Sequence, residues 1–81
     1  MRRLGRLDRI AKGRGVVEIT EEEIPDIGEY ALAESLTTVG KIVDIIGPVD
    51  RPMAVIVPAE NTELVPFLGE RLYVRETPHQ S

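Results

Sequence analysis

The chain alternates short apolar runs with turn residues, and few runs are long enough for a helix. Such spacing favours strands. Residues 3–12 are ambiguous: Leu4, Leu7, Ile10 and Ala11 are spaced like one helical face. Gly5 and the early Gly13 argue against a helix, so the segment is read as a strand with Gly5 as a bend or bulge. Gly13-Arg14-Gly15 reads as a turn and Val16 to Thr20 as a second strand, together a hairpin. An acidic loop follows over 21–29, and Pro25 limits any helical turn there. A short strand is expected around Tyr30 to Leu32, with Ala33-Glu34-Ser35 as its connector.

Residues 37–46 give the clearest strand. Strict alternation puts Gly40, Ile42, Asp44 and Ile46 on one face and Val39, Lys41, Val43 and Ile45 on the other. Apolar groups on both faces imply a strand covered on both sides or a strongly curved sheet, with Gly40 at the bend. Residues 47–52 form a stiff loop, Met53 to Val57 the next strand, 59–69 a longer loop and 70–75 the last strand. In that last strand Leu72 and Val74 oppose Tyr73. Six strands in a chain this short leave exposed edges unless the sheet closes. The expected fold is all-β, a small six-stranded closed barrel over 1–75 with a loose polar tail over 76–81. A six-strand sandwich is the alternative.

Composition narrows the chemistry. The 81 residues are 42% hydrophobic, and Tyr30, Phe67 and Tyr73 are the only aromatics, so the core is aliphatic. With no cysteine, disulfides and thiolate metal sites are excluded, and a reducing compartment fits. No apolar run reaches the ~18 residues a membrane helix needs, and no apolar stretch follows the basic N-terminus as a secretory signal requires. A cytoplasmic protein without membrane contact is expected. The only histidine, His79, lies near the C-terminus, and Ser35 and Ser81 have no fixed base beside them, so no catalytic triad can be assembled. The carboxylates Glu18, Glu21, Glu22, Glu23, Asp26 and Glu29 match no calcium loop and read as a solvated acidic segment. Neither an enzyme, nor a cofactor or metal, nor a small-molecule substrate is expected.

Charge is split. Residues 1–14 carry six cations against Asp8, a net of +5, which leaves −9 of the total −4 for the remainder. Arg2, Arg3, Arg6 and Arg9 are therefore candidates to lie near RNA. The plainer account is a basic strand neutralised by acidic neighbours in the same fold. Single-strand recognition usually needs aromatic platforms, and three aromatics offer little, so tight RNA binding by the chain alone is not expected. Residues 47–53 admit two accounts. Pro48 and Pro52 stiffen a loop bearing Val49 and Met53, and a preorganised apolar loop suits a protein interface. Alternatively Val49 and Met53 plug the barrel end.

The run Val39-Gly40-Lys41-Ile42-Val43-Asp44-Ile45-Ile46-Gly47-Pro48-Val49, followed by Pro52 and Pro58, resembles the signature of the Gar-type subunit of H/ACA ribonucleoproteins. Gly69-Glu70-Arg71-Leu72-Tyr73-Val74 is similar to that family's last strand, and Arg3-Leu4-Gly5-Arg6-Leu7 to its first. Met53 stands where the family commonly has an aromatic residue, and Val57 where it often has a basic one. The glycine/arginine-rich flanks of eukaryotic members are missing, so the compact archaeal form is the better match. The resemblance implies a barrel related to those of translation factors and no catalysis. It implies a dyskerin-type pseudouridine synthase as partner, mostly indirect contact with the H/ACA guide RNA, and help in substrate loading and product release. It places docking at Gly47, Pro48, Val49, Pro52 and Met53, with Ile45 and Ile46 in support. An RNA-binding or ribosome-assembly barrel of the RimM type is the alternative.

Overall fold

The computed structural model describes residues 1–75; His79 and the tail expected over 76–81 lie outside the described residues. Six strands run in chain order: β1 (Arg2–Ala11), β2 (Arg14–Ile19), β3 (Tyr30–Leu32), β4 (Thr38–Ile46), β5 (Met53–Pro58) and β6 (Arg71–Val74). They close into an antiparallel barrel in the order β1-β2-β5-β4-β3-β6. The six-stranded closed barrel expected from the sequence is the observed fold. A single turn of 3-10 helix, Val65–Phe67, interrupts the 59–69 loop. Among the described residues no helix is long and apolar enough to cross a membrane.

β1 explains its own ambiguous pattern. Its register slips between Arg3 and Gly5 against β6, and between Leu7 and Arg9 against β2. Each slip inserts a residue opposite nothing, which is a β-bulge. Two bulges turn the usual period of two into a period of three. Leu4 and Leu7 are thereby buried, Ile10 packs against the core, and Arg3, Arg6 and Arg9 all reach the outer surface. Helix-like spacing thus arises in a strand. Gly5 sits at the first bulge, where a Cβ would overlap the Glu18 carbonyl oxygen of β2.

The hairpin turn differs from expectation by one residue. It is Lys12-Gly13, both with positive φ (53° and 76°), while Arg14 and Gly15 already belong to β2. Two residues in the left-handed region match the twist of the flanking strands. Gly15 faces inward, and a Cβ there would meet the Leu7 and Ile56 side chains at 2.9 Å.

β4 does not keep two regular faces. Its pairing with β5 shifts between Ile42 and Asp44, so Ile42 opposes Ile56 and Ile45 opposes Ala54. The bulge at Val43 lets both Ile42 and Ile45 turn inward, and Ile46 ends on the outside. This replaces the expected grouping of Ile42 with Ile46. Gly40 allows the close approach at the bend: a Cβ there would lie 2.5 Å from the Val57 carbonyl oxygen.

The core is aliphatic: Leu4, Leu7, Val17, Ile42, Ile56, Leu72 and Val74 are its main fully buried members. Leu64 and Phe67 close one end. Gly69 N–H donates to Leu7 O (2.8 Å) and Leu7 N–H to Glu70 O (3.1 Å), fixing that loop to β1. No charged or polar side chain is buried among the described residues. The β3–β4 connection is closed by Leu36 N–H to Ala33 O and Ala33 N–H to Thr37 O (both 2.9 Å). Leu36 occupies the left-handed region there (φ 73°) with its side chain exposed.

Two substitutions of opposite sign follow. Gly40→Ala forces a methyl against the Val57 carbonyl and is expected to cost about 1–3 kcal/mol. Leu36→Gly removes left-handed strain of about 1 kcal/mol, offset in part by glycine's freedom in the unfolded chain, and is expected to raise stability by a few tenths of a kcal/mol. Urea melts followed by circular dichroism measure both.

Candidate functional site

β4 leaves the barrel at Ile46, and β5 returns at Met53, directly opposite it. Between them the chain reverses. Gly47 turns with φ 92°, and a Cβ there would lie 2.7 Å from the Arg51 carbonyl oxygen. Arg51 N–H donates to Pro48 O at 3.0 Å, closing a tight turn with Val49 and Asp50 at its corner. Pro48 fixes its own φ at the residue that opens the turn. On the return, Pro52 O accepts from Ile19 N–H (3.2 Å), which ties the loop to β2.

The two accounts of this loop are separated by exposure. Val49 does not plug the barrel end: it is 98% exposed at the tip. A valine side chain left in water costs free energy that a partner can recover. Gly47 and Pro48 are exposed beside it, and Pro52 and Met53 are half-buried on the return. Ile46 reaches the outside, whereas Ile45 faces inward and packs against the core. Ile45 therefore belongs to the support of the loop and not to its surface.

The sequence reading missed the continuation of this surface. Val55 and Val57 lie on the same side of β5 as Met53. Val16 of β2 sits opposite Val55, and Arg9 of β1 opposite Val16. Val16 is buried but stands outside the main core cluster. The result is an apolar area on the outside of β4, β5 and β2, joined to the loop through Ile46 and Met53. The signal was present as the alternation Met53, Val55, Val57. It could not be oriented before the pairing with β2 was known.

The basic candidates do not form one patch. Arg2 lies 3.9 Å from Glu23 and 3.7 Å from Glu29. Arg9 pairs with Asp8 at 2.9 Å, and its guanidinium reaches the Met53 sulfur at 4.0 Å. Arg6 stands between Glu18 on β2 and Arg71 on β6, and Arg3 is opposite Tyr73. Neutralisation within the fold thus accounts for Arg2 and for much of Arg9, while Arg3 and Arg6 remain outward on β1. Among the described residues, no group of three or more acidic, histidine or cysteine side chains is arranged to hold a metal ion.

Comparison with known proteins adds three findings. A family model described as the Gar1/Naf1 RNA binding region matches residues 1–81. The H/ACA ribonucleoprotein complex subunit GAR1 of Chaetomium globosum is 26% identical over 72 residues, which cover 88% of this chain and 34% of that protein. The chain thus spans about a third of the length of this curated relative. The solved structure of the Gar1 domain of Naf1 superposes with a TM-score of 0.71 at 17% identity, over 90% of this chain and 79% of that one, a likeness of fold. With a match over its whole length to that model, the chain belongs to the Gar1/Naf1 family.

Proposed function

We propose that this chain is a non-catalytic protein subunit of an H/ACA-type ribonucleoprotein, and that it docks on the catalytic domain of a dyskerin-type pseudouridine synthase. The observation that carries the reading is the stiff loop with Val49 at its tip, almost fully exposed. Family membership supplies the context, and the curated relative is named as a subunit of such a complex. The apolar area on β4, β5 and β2 extends the loop to a size that suits a protein partner better than a small molecule.

In this reading the loop is preorganised. Gly47, the Pro48–Arg51 turn and the Pro52–Ile19 hydrogen bond hold Val49 in place before binding, so little ordering entropy is lost on association. Val49 acts as the anchor, Ile46 and Met53 as its flanks, and Ile45 fixes the base of the loop from inside. Asp50 and Arg51 form a polar rim. Bound there, the subunit helps the synthase load its RNA substrate and release the product. An intracellular setting goes with that role. RNA contact by the basic strand is secondary, since Arg2 and Arg9 already face carboxylates.

The first test is gel filtration of this chain mixed with a purified dyskerin-type synthase from the same source, without RNA. Co-elution as a one-to-one complex is expected. Separate elution at micromolar concentrations would count against docking and turn attention to ribosomal RNA and a RimM-like role. Within the complex, Val49→Glu is expected to cost about 2 kcal/mol or more of binding, as for a buried anchor. The variant's fold is not at risk at so exposed a position, and unchanged affinity by calorimetry would remove Val49 from the interface.

A further inference from the structure

The segment between β2 and β3 is built as a fixed corner. At its start Thr20 N–H donates to Leu4 O (3.3 Å). Asp26 to Glu29 make a tight turn: Glu29 N–H donates to Asp26 O (3.2 Å), and the Glu29 carboxylate accepts from Asp26 N–H (2.7 Å). Gly28 takes the left-handed position of that turn, with φ 101°. The turn is fastened to β4, where Gly28 N–H donates to Ile42 O and Ile42 N–H to Glu29 O, both at 2.8 Å. Pro25 is buried, and Arg2 of β1 reaches Glu23 and Glu29.

Two side chains have no part in this construction. Ile27, at the corner of the turn, is 62% exposed, and Ile24 is 46% exposed. Neither belongs to the core cluster. Turns favour Gly, Pro, Asn, Asp and Ser, so turn chemistry does not call for isoleucine either. One apolar side chain on a surface needs no explanation, but two held in the same rigid corner make a small apolar site that is costly to leave in water. Next to it, Gly28 and Glu29 help to line a pocket of about 270 Å³ that also has Leu32 in its wall. Pockets for drug-sized ligands start near ~300 Å³, so this one takes a partner's side chain and not a whole small molecule. Tyr30, the following residue, is already engaged: Lys41 Nζ lies over its ring, 6.0 Å from the centroid.

Charge says what covers the two isoleucines. Residues 21–29 hold five carboxylates and no cation. Arg2 answers Glu23 and Glu29, whereas Glu21, Glu22 and Asp26 are in no ion pair among the described residues. The carboxylates are not gathered to hold a metal ion. Nucleic acid and an anionic lipid surface are repelled by them. A cationic protein segment meets both features, since its lysines or arginines pair with the carboxylates while its apolar side chains cover the isoleucines.

We infer that the corner over residues 24–27 binds a basic segment of a protein partner. Apolar side chains of that segment pack on Ile24 and Ile27, one of them entering the neighbouring pocket, and its cations face Glu21, Glu22 and Asp26. The corner is fastened to β4 along the edge that pairs with β3, whereas the 47–53 loop joins β4 to β5. The inference therefore does not rest on docking of a synthase at that loop.

The test uses the chain alone and two short fluorescein-labelled peptides of equal charge, one of lysine with leucine at every third position, the other of lysine and glycine. Anisotropy at low salt is expected to show the leucine peptide binding at about 10–300 μM, more weakly as salt screens the ion pairs. The glycine peptide is expected to bind at least about fivefold more weakly, for want of apolar burial. Ile24→Ser with Ile27→Ser is expected to weaken the leucine peptide by about fivefold to thirtyfold and to leave the glycine peptide unchanged. Both positions are exposed, so the barrel keeps its fold. Glu21→Gln with Glu22→Gln is expected to weaken both peptides and flatten their salt dependence. Val49→Ser is expected to change neither. The inference is overturned if the double isoleucine variant binds the leucine peptide like the parent chain, or if the two peptides bind equally, which would leave charge alone. Absence of binding at millimolar protein overturns it as well, and so does a loss in Val49→Ser equal to that of the isoleucine variant, which would assign the peptide to the 47–53 loop.

Discussion

Everything in this molecule depends on closing the sheet through β1. That strand pairs with β2 along one edge and with β6 along the other, and β6 also holds β3. Without both pairings the barrel would have two open edges, each with unpaired backbone groups. A strand that serves two curved ladders must bend, and the bends are the bulges beside Gly5 and at Asp8. Gly5 is needed because any side chain at that point collides with the β2 backbone. The closure brings the Leu and Val side chains of β1, β2 and β6 onto Ile42 and Ile56, and the small core forms around them.

A core built only from aliphatic groups has consequences for the surface. All charge is displaced outward, and no buried polar side chain lacks a partner among the described residues. With so small an interior, several apolar side chains find no room inside. Val16 and Leu32 are covered on the outside by their neighbours, and Val49 is not covered at all. Of the three, Val49 is where the fold has apolar surface to offer.

The two surfaces differ in chemistry. The loop between β4 and β5 is rigid, apolar and short of charge at its tip, which fits a preformed protein partner. The outer face of β3 joins an exposed tyrosine ring, with Lys41 over it, to a small pocket. The strongly basic β1 runs between them: its Arg9 end touches the Met53 side, and its Arg3 end reaches the Tyr73 side. One strand thus contributes cations to both without forming a single basic patch.

Much was determined by the sequence alone. Turn residues and β-branched runs set six strands, and their short lengths required closure. The stiff Gly47–Met53 loop was legible because Pro48 and Pro52 restrict the backbone wherever they stand. What the sequence did not decide is which way side chains face once a strand is bulged. Each bulge reverses the alternation, so Ile45 and Ile46 exchanged sides and Arg3, Arg6 and Arg9 came to share one. Nor did it decide which distant residues become neighbours. Tyr30 and Tyr73 are far apart in the chain and looked too few to matter; only the β3–β6 pairing sets them on one face. Local propensity acts within a few residues, whereas facing and adjacency are properties of the ladder, and the ladder exists only when the barrel is closed.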